Sequence, residues 1–198
     1  MKLRLLGLLS MFAVSLVILA GCQEMDSLTL DYKEQVEGLP GTIQTYDEES
    51  NMIDQVKGQS ISIAGNSSFS DSVLDITVGG RQMVHIGSTL IFYENGLVNV
   101  FDDFSKTVDI ENLDRSTPII NRLVNQYEST FHGMSKVILI RSQSGKPLAT
   151  FAGNQVSINS TSIDKMTKVT IDNKRMYIYR ADYTIYDTSL LLEKDILN

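Results

Sequence analysis

Cys22 carries the clearest chemistry in the chain. It is the only cysteine among 198 residues and it closes the run Leu19-Ala20-Gly21-Cys22. The small residues Ala20 and Gly21 let a scissile backbone enter a peptidase, and the thiol behind them can then take a lipid. A second candidate is the pair His85 and Ser88 in Val84-His85-Ile86-Gly87-Ser88, residue types that a surface hydrolase uses as base and nucleophile. Against it, no G-x-S-x-G elbow is present to hold the nucleophile. A third candidate is the acidic stretch with Asp102, Asp103, Asp109, Glu111 and Asp114. These carboxylates could ligate a hard cation, but their spacing does not match an EF-hand loop, which needs oxygen ligands at fixed steps and a central glycine. The stretch therefore reads first as a solvated acidic loop. Two distant histidines and one cysteine give zinc little to bind, and His132 beside Gly133 more simply meets the C-terminal end of a helix dipole. No phosphate-binding glycine loop or dinucleotide fingerprint occurs, and no cofactor is expected.

The elements that position Cys22 are those of a secretory lipoprotein signal. Lys2 and Arg4 form a positive start, and residues 5–19 are apolar apart from Gly7, Ser10 and Ser15. That run is short of the roughly 20 residues a spanning helix needs. Residues 1–21 are thus expected to be removed, residues 22–27 to form a lipidated N-terminus and short tether, and residues 28–198 to form one extracytoplasmic domain. A diacylglyceryl group with an added acyl chain anchors stably, because each buried methylene contributes about 0.8 kcal/mol and more than one chain is needed. The expected location is the extracytoplasmic face of the cell membrane, reached through the lipid.

Removing residues 1–21 leaves 177 residues and takes away Lys2 and Arg4 but no acid, so the net charge moves from −7 to −9. Nucleic acid and polyanionic wall polymers would be repelled, whereas a protein partner of the envelope would not. With no cysteine after Cys22, the fold has no internal disulfide and relies on its apolar core.

The domain reads as mostly strand. Turn chemistry at Leu39-Pro40-Gly41, Gly79-Gly80, Asn95-Gly96, Ser144-Gly145 and Asp172-Asn173-Lys174 separates short segments with period-two apolar alternation. Met176 and Ile178 alternate with Tyr177 and Tyr179, as in a strand buried on both faces. One amphipathic helix is expected over residues 118–132. Thr117 would cap it, Pro118 would take its first position, Ile119, Ile120, Leu123, Val124, Tyr127 and Phe131 would share a face, and Gly133 would end it. The expected class is therefore α+β, mostly antiparallel β, barrel or sandwich-like, with one mid-chain helix.

The two β segments also echo one another, 42–97 against 137–190, across the helix. A shift of 95 lays Ile43 on Ile138, Gly58 on Gly153 and Ile63 on Ile158; a shift of 93 lays Gly79-Gly80 on Asp172-Asn173, Met83 on Met176 and Tyr93 on Tyr186. The same frame puts Ile178 at the place of His85, which favours packing over catalysis there.

The runs GLPGTIQTYDEESNMIDQVKGQSISI, VLDITVGGRQMVHIGSTLIFYENGL, VDIENLDRSTPIINRLVNQYES, KVILIRSQSGKPLATFAGNQVSI and YRADYTIYDTSLL resemble a family of small Gram-positive lipoproteins whose domain has no assigned function. The resemblance implies a cell-surface lipoprotein and brings no catalytic residue with it. The glycine-centred hairpins are also loosely similar to Tubby-like barrels, from which a mid-chain helix departs. The functional expectation is a membrane-anchored, non-enzymatic binding or accessory module. The alternatives are a surface hydrolase using His85 and a lipoprotein that binds a small ligand.

Overall fold

The computed structural model describes residues 38–65, 73–101, 131 and 133–192. The strands described below belong almost entirely to one compact unit, Pro40–Asn198. The first half of the β structure holds β1 (Leu39–Tyr46), β2 (Met52–Gly65), β3 (Val73–Val78), β4 (Arg81–Ile86) and β5 (Thr89–Glu94). The second half holds β6 (Lys136–Arg141), β7 (Pro147–Gly153), β8 (Val156–Ser160), β9 (Met166–Ile171), β10 (Lys174–Tyr179) and β11 (Asp182–Asp187), followed by the short helix α1 (Thr188–Leu192). Eight strands form one sheet in the order β4-β3-β2-β1-β5-β10-β9-β8, and three form another in the order β11-β6-β7.

The expected α+β class is corrected by this arrangement. The described residues are 65% strand and 6% helical, an antiparallel, sandwich-like fold with one short helix and no mid-chain amphipathic helix among them. Residues 118–130 and 132 of the expected helix lie outside the described residues, and Phe131 is fully buried against Val137 and Leu139 of β6. The physical reason is that strands cover strands. Tyr46, Ile91, Tyr93, Val169, Ile171, Met176 and Ile178 of the large sheet meet Ile138, Ile140, Leu148 and Phe151 of the small one in a single core. Each such side chain taken out of water contributes about 1.5–3 kcal/mol. The other face of the small sheet is closed by Val100, Phe101, Phe131 and Leu191, so β6 is buried on both faces.

The two halves share one wiring diagram. β1 pairs with β5 from Gly41 opposite Glu94 to Tyr46 opposite Thr89. β6 pairs with β11 from Lys136 opposite Asp187 to Arg141 opposite Asp182, the same register moved by 95 and 93. Ile61 opposite Val78 becomes Val156 opposite Ile171, and Val73 opposite Ile86 becomes Met166 opposite Tyr179. Loop hydrogen bonds follow suit. Gly79 N–H donates to Ser60 O and Asp172 N–H to Gln155 O, while Asn95 N–H donates to Pro40 O and Thr188 N–H to Ser135 O. The β3–β4 and β9–β10 hairpins both turn on two positive-φ residues, Gly79-Gly80 and Asp172-Asn173. A turn of that hand fits the twist of its strands.

One difference between the halves has a visible cause. β2 runs unbroken for 14 residues, whereas its counterpart is split into β7 and β8. At the split, Asn154 and Gln155 donate their N–H groups to the Asp172 carboxylate at 2.7–3.0 Å. The matching residue in the first half is Gly79, which has no side chain to draw those donors out of the ladder. The β1–β2 and β6–β7 turns, equivalent in the two halves, also touch. Ser142 Oγ and Ser144 Oγ donate to Glu48 O, and Lys146 pairs with Glu49.

Candidate functional site

His85 is nearly buried, 8% exposed, on the edge strand β4. Its Nε2 lies 2.9 Å from the main-chain carbonyl of Ser88, and its ring meets Tyr179 edge-on at 6.1 Å. A carbonyl only accepts, so Nε2 must carry the hydrogen. That nitrogen therefore cannot take a proton from the Ser88 hydroxyl, and the two residues form a strand-to-strand corner rather than a base–nucleophile pair. Cys22, Asp102, Asp103, Asp109 and His132 lie outside the described residues. Among the described residues no three His, Cys, Asp or Glu side chains gather closely enough to hold a metal ion.

What the structure does assemble is an open cleft of about 430 Å³ at one end of the second half. Gln143 enters from the β6–β7 turn, Lys165, Met166 and Thr167 from the start of β9, and Arg180, Ala181 and Asp182 from the β10–β11 corner. Local hydrogen bonds shape its rim. Thr161 Oγ1 accepts from Ile163 N–H, Met166 N–H donates to Ile163 O, and Arg180 N–H reaches back to Lys165 O at 3.1 Å. The Arg180 carbonyl in turn accepts from Thr89 Oγ1 at 2.8 Å, which ties the corner to β5.

Both cations of this cleft sit in the left-handed backbone region, Lys165 at φ 58° and Arg180 at φ 54°. That conformation costs a residue with a Cβ about 1–2 kcal/mol, and the first half uses Gly87 where the second uses Arg180. Lys165 lies 3.9 Å from Asp164, both side chains well exposed, so the contact contributes little and the charge stays available to the cleft. Two cations held at strained turns, one carboxylate and one carboxamide suit a ligand with an anionic group beside hydrogen-bonding groups. The signal for this site was present in the sequence as an arginine standing where the echo has a glycine, and it is not among the candidates singled out above.

A family model described as Domain of unknown function (DUF5052) matches residues 4–191. The chain belongs to the DUF5052 family. No curated protein and no solved structure matches it. The matched span takes in the apolar run from residue 5, Cys22, every strand of both sheets and the cleft of this DUF5052 chain.

Proposed function

We propose that this DUF5052 chain is a lipid-anchored protein of the extracytoplasmic membrane face, acting as a non-enzymatic binding or accessory module. The observation that carries the proposal is Leu19-Ala20-Gly21-Cys22, the only cysteine standing directly behind an apolar run with a positive start. Among the described residues no helix is long and apolar enough to cross a membrane; the anchor in this proposal is the lipid on Cys22. The cleft with Lys165, Arg180, Asp182 and Gln143 is the binding site assigned to the module, and its ligand class is a small molecule or protein segment bearing a carboxylate or phosphate. The engagement of His85 with a main-chain carbonyl supports binding over catalysis.

The test is mass spectrometry of the native protein, with membrane fractionation of a Cys22→Ala variant. A diacylglyceryl mass on Cys22 and loss of the variant from the membrane fraction are expected. An unmodified Cys22, or a variant that stays with the membrane, would reject the anchor.

A further inference from the structure

The two halves are joined by a strand pairing that has no second copy among the described strands. β10 docks its outer edge on β5, with Met176 opposite Tyr93, Tyr177 opposite Phe92, Ile178 opposite Ile91 and Tyr179 opposite Leu90. In the two-shift frame β10 is the counterpart of β4, and β5 is the counterpart of β11. Yet β4 is an edge strand, paired only with β3, and β11 is an edge strand, paired only with β6, among the described strands. Side-chain exposure follows the same division. On β5, Leu90, Ile91, Phe92 and Tyr93 are all buried, while their counterparts on β11 are half-exposed. On β10, Tyr179 is fully buried, while its counterpart Ile86 is 67% exposed; Val84, the counterpart of half-buried Tyr177, is 51% exposed.

An edge strand that shows apolar side chains on its outer face is a template for another strand. β8, at the far end of the same sheet, exposes one apolar side chain, Ile158 at 54%, set between the polar Ser157 and Asn159 and followed by Ser160. β4 has only Arg81 and Gln82 at its start.

We propose that β4 of one copy of this chain pairs with β11 of a second copy, in the register that joins β10 to β5 within the chain. Subtracting 93 from the β10 partner and adding 93 to the β5 partner fixes every contact. Gln82 of one copy stands opposite Asp187 of the other, Met83 opposite Tyr186, Val84 opposite Ile185 and Ile86 opposite Tyr183. The charged end is echoed only on its acidic side, since Gln82 stands where Arg175 does and Asp187 already pairs with Lys136 at 2.7 Å within the chain. Within the chain, Arg175 stands against Glu94 at this position; between copies, Asp187 would meet Gln82 with Arg81 next to it. The joined surfaces differ, so the contact is head-to-tail, and each added copy leaves one β4 edge and one β11 edge for the next.

Disulfide trapping in the full chain, carrying Cys22→Ser so that the added thiols are alone, tests both partner and register. Directly opposed residues of antiparallel strands lie within the 4.4–6.8 Å Cα range that a disulfide spans. The double variant Gln82→Cys/Asp187→Cys should give a ladder of dimers, trimers and longer chains on mild oxidation. Mixing the two single variants should give a dimer of one of each. Gln82→Cys/Asp182→Cys, five residues out of register, should give no ladder. A disulfide confined to the monomer would show β4 closing on its own β11 and would overturn the proposal. So would a ladder equal to the out-of-register control. Ile86→Lys should lower the average mass in sedimentation at least twofold towards the monomer, while Ile158→Lys on β8 leaves it unchanged. An Ile86→Lys protein that associates like the parent would also reject the proposal.

Discussion

Glu94 receives the main-chain N–H of Arg175 on its Oε2 at 3.1 Å, and the same oxygen stands 3.5 Å from Arg175 Nε. Arg175 is only 1% exposed, and it lies at the end of the β5–β10 pairing that joins the two halves. Glu94→Ala withdraws a carboxylate from a buried guanidinium and leaves an N–H without this acceptor. The expected loss is about 2–3 kcal/mol in urea unfolding, with Glu94→Gln losing about half as much.

Gly153 ends β7 where a Cβ would fall 2.4 Å from Cγ2 of Ile171, and Gly58 holds the matching place against Cγ1 of Val78 at 2.7 Å. Neither neighbour is a loose chain end; Ile171 is fully buried in the core. Gly153→Ala should lower stability by about 1–3 kcal/mol, as overpacked cores do. Gly58→Ala should cost less, because Val78 is only half-buried. Denaturant midpoints of the two variants check the order.

The β10–β11 corner gives a prediction of the opposite sign. Arg180→Gly relieves a strained φ, and the added freedom of the unfolded glycine offsets part of the gain, leaving about 0.5 kcal/mol of extra stability. Gly87→Arg, the reverse exchange in the first half at φ 102°, should lose about 1–2 kcal/mol. Thermal unfolding of both proteins measures the difference. If the cleft binds phosphate or carboxylate groups, Arg180→Gly weakens that binding while the fold gains.

Asp47 organises the β1–β2 turn. Its carboxyl is held below the usual carboxylate range, first by the side-chain amide of Asn51 and then by the N–H groups of Asn51 and Glu49. A carboxyl whose pKa is lower folded than unfolded adds stability above its unfolded value, and that stability is lost as the pH falls through the folded value. Asp47→Asn should therefore lower the unfolding midpoint at neutral pH. The gap from the parent protein should close as the pH drops below about 4. A gap that persists at low pH would place the effect elsewhere than in the charge.

The sequence by itself marked most of the strands and several of their ends, although Leu39-Pro40-Gly41, expected as a turn, opens β1 instead. Period-two alternation and the turn residues at Gly79-Gly80, Asp172-Asn173 and Ser144-Gly145 are local matters, because φ preference and side-chain direction are set within a few residues. The two-sided apolar pattern of residues 176–179 announced a strand covered on both faces, and β10 is one. Residues 118–132 show how far periodicity carries: helical spacing says which face would be apolar, not what part such a segment takes in the fold. Beyond the hairpins at Gly79-Gly80 and Asp172-Asn173, tertiary structure alone decided which strands are neighbours. The pairing of β5 with β10, separated by some eighty residues of chain, depends on both edges and both faces meeting at once, and no local signal encodes that. It also decided the cleft, since Gln143, Lys165, Arg180 and Asp182 come from three separate turns that only the stacked sheets bring together. His85 makes the same point from the other side. Its sequence neighbours suggested chemistry with Ser88, but the fold presents the Ser88 carbonyl to its Nε2, and a carbonyl there leaves that nitrogen nothing to do but donate.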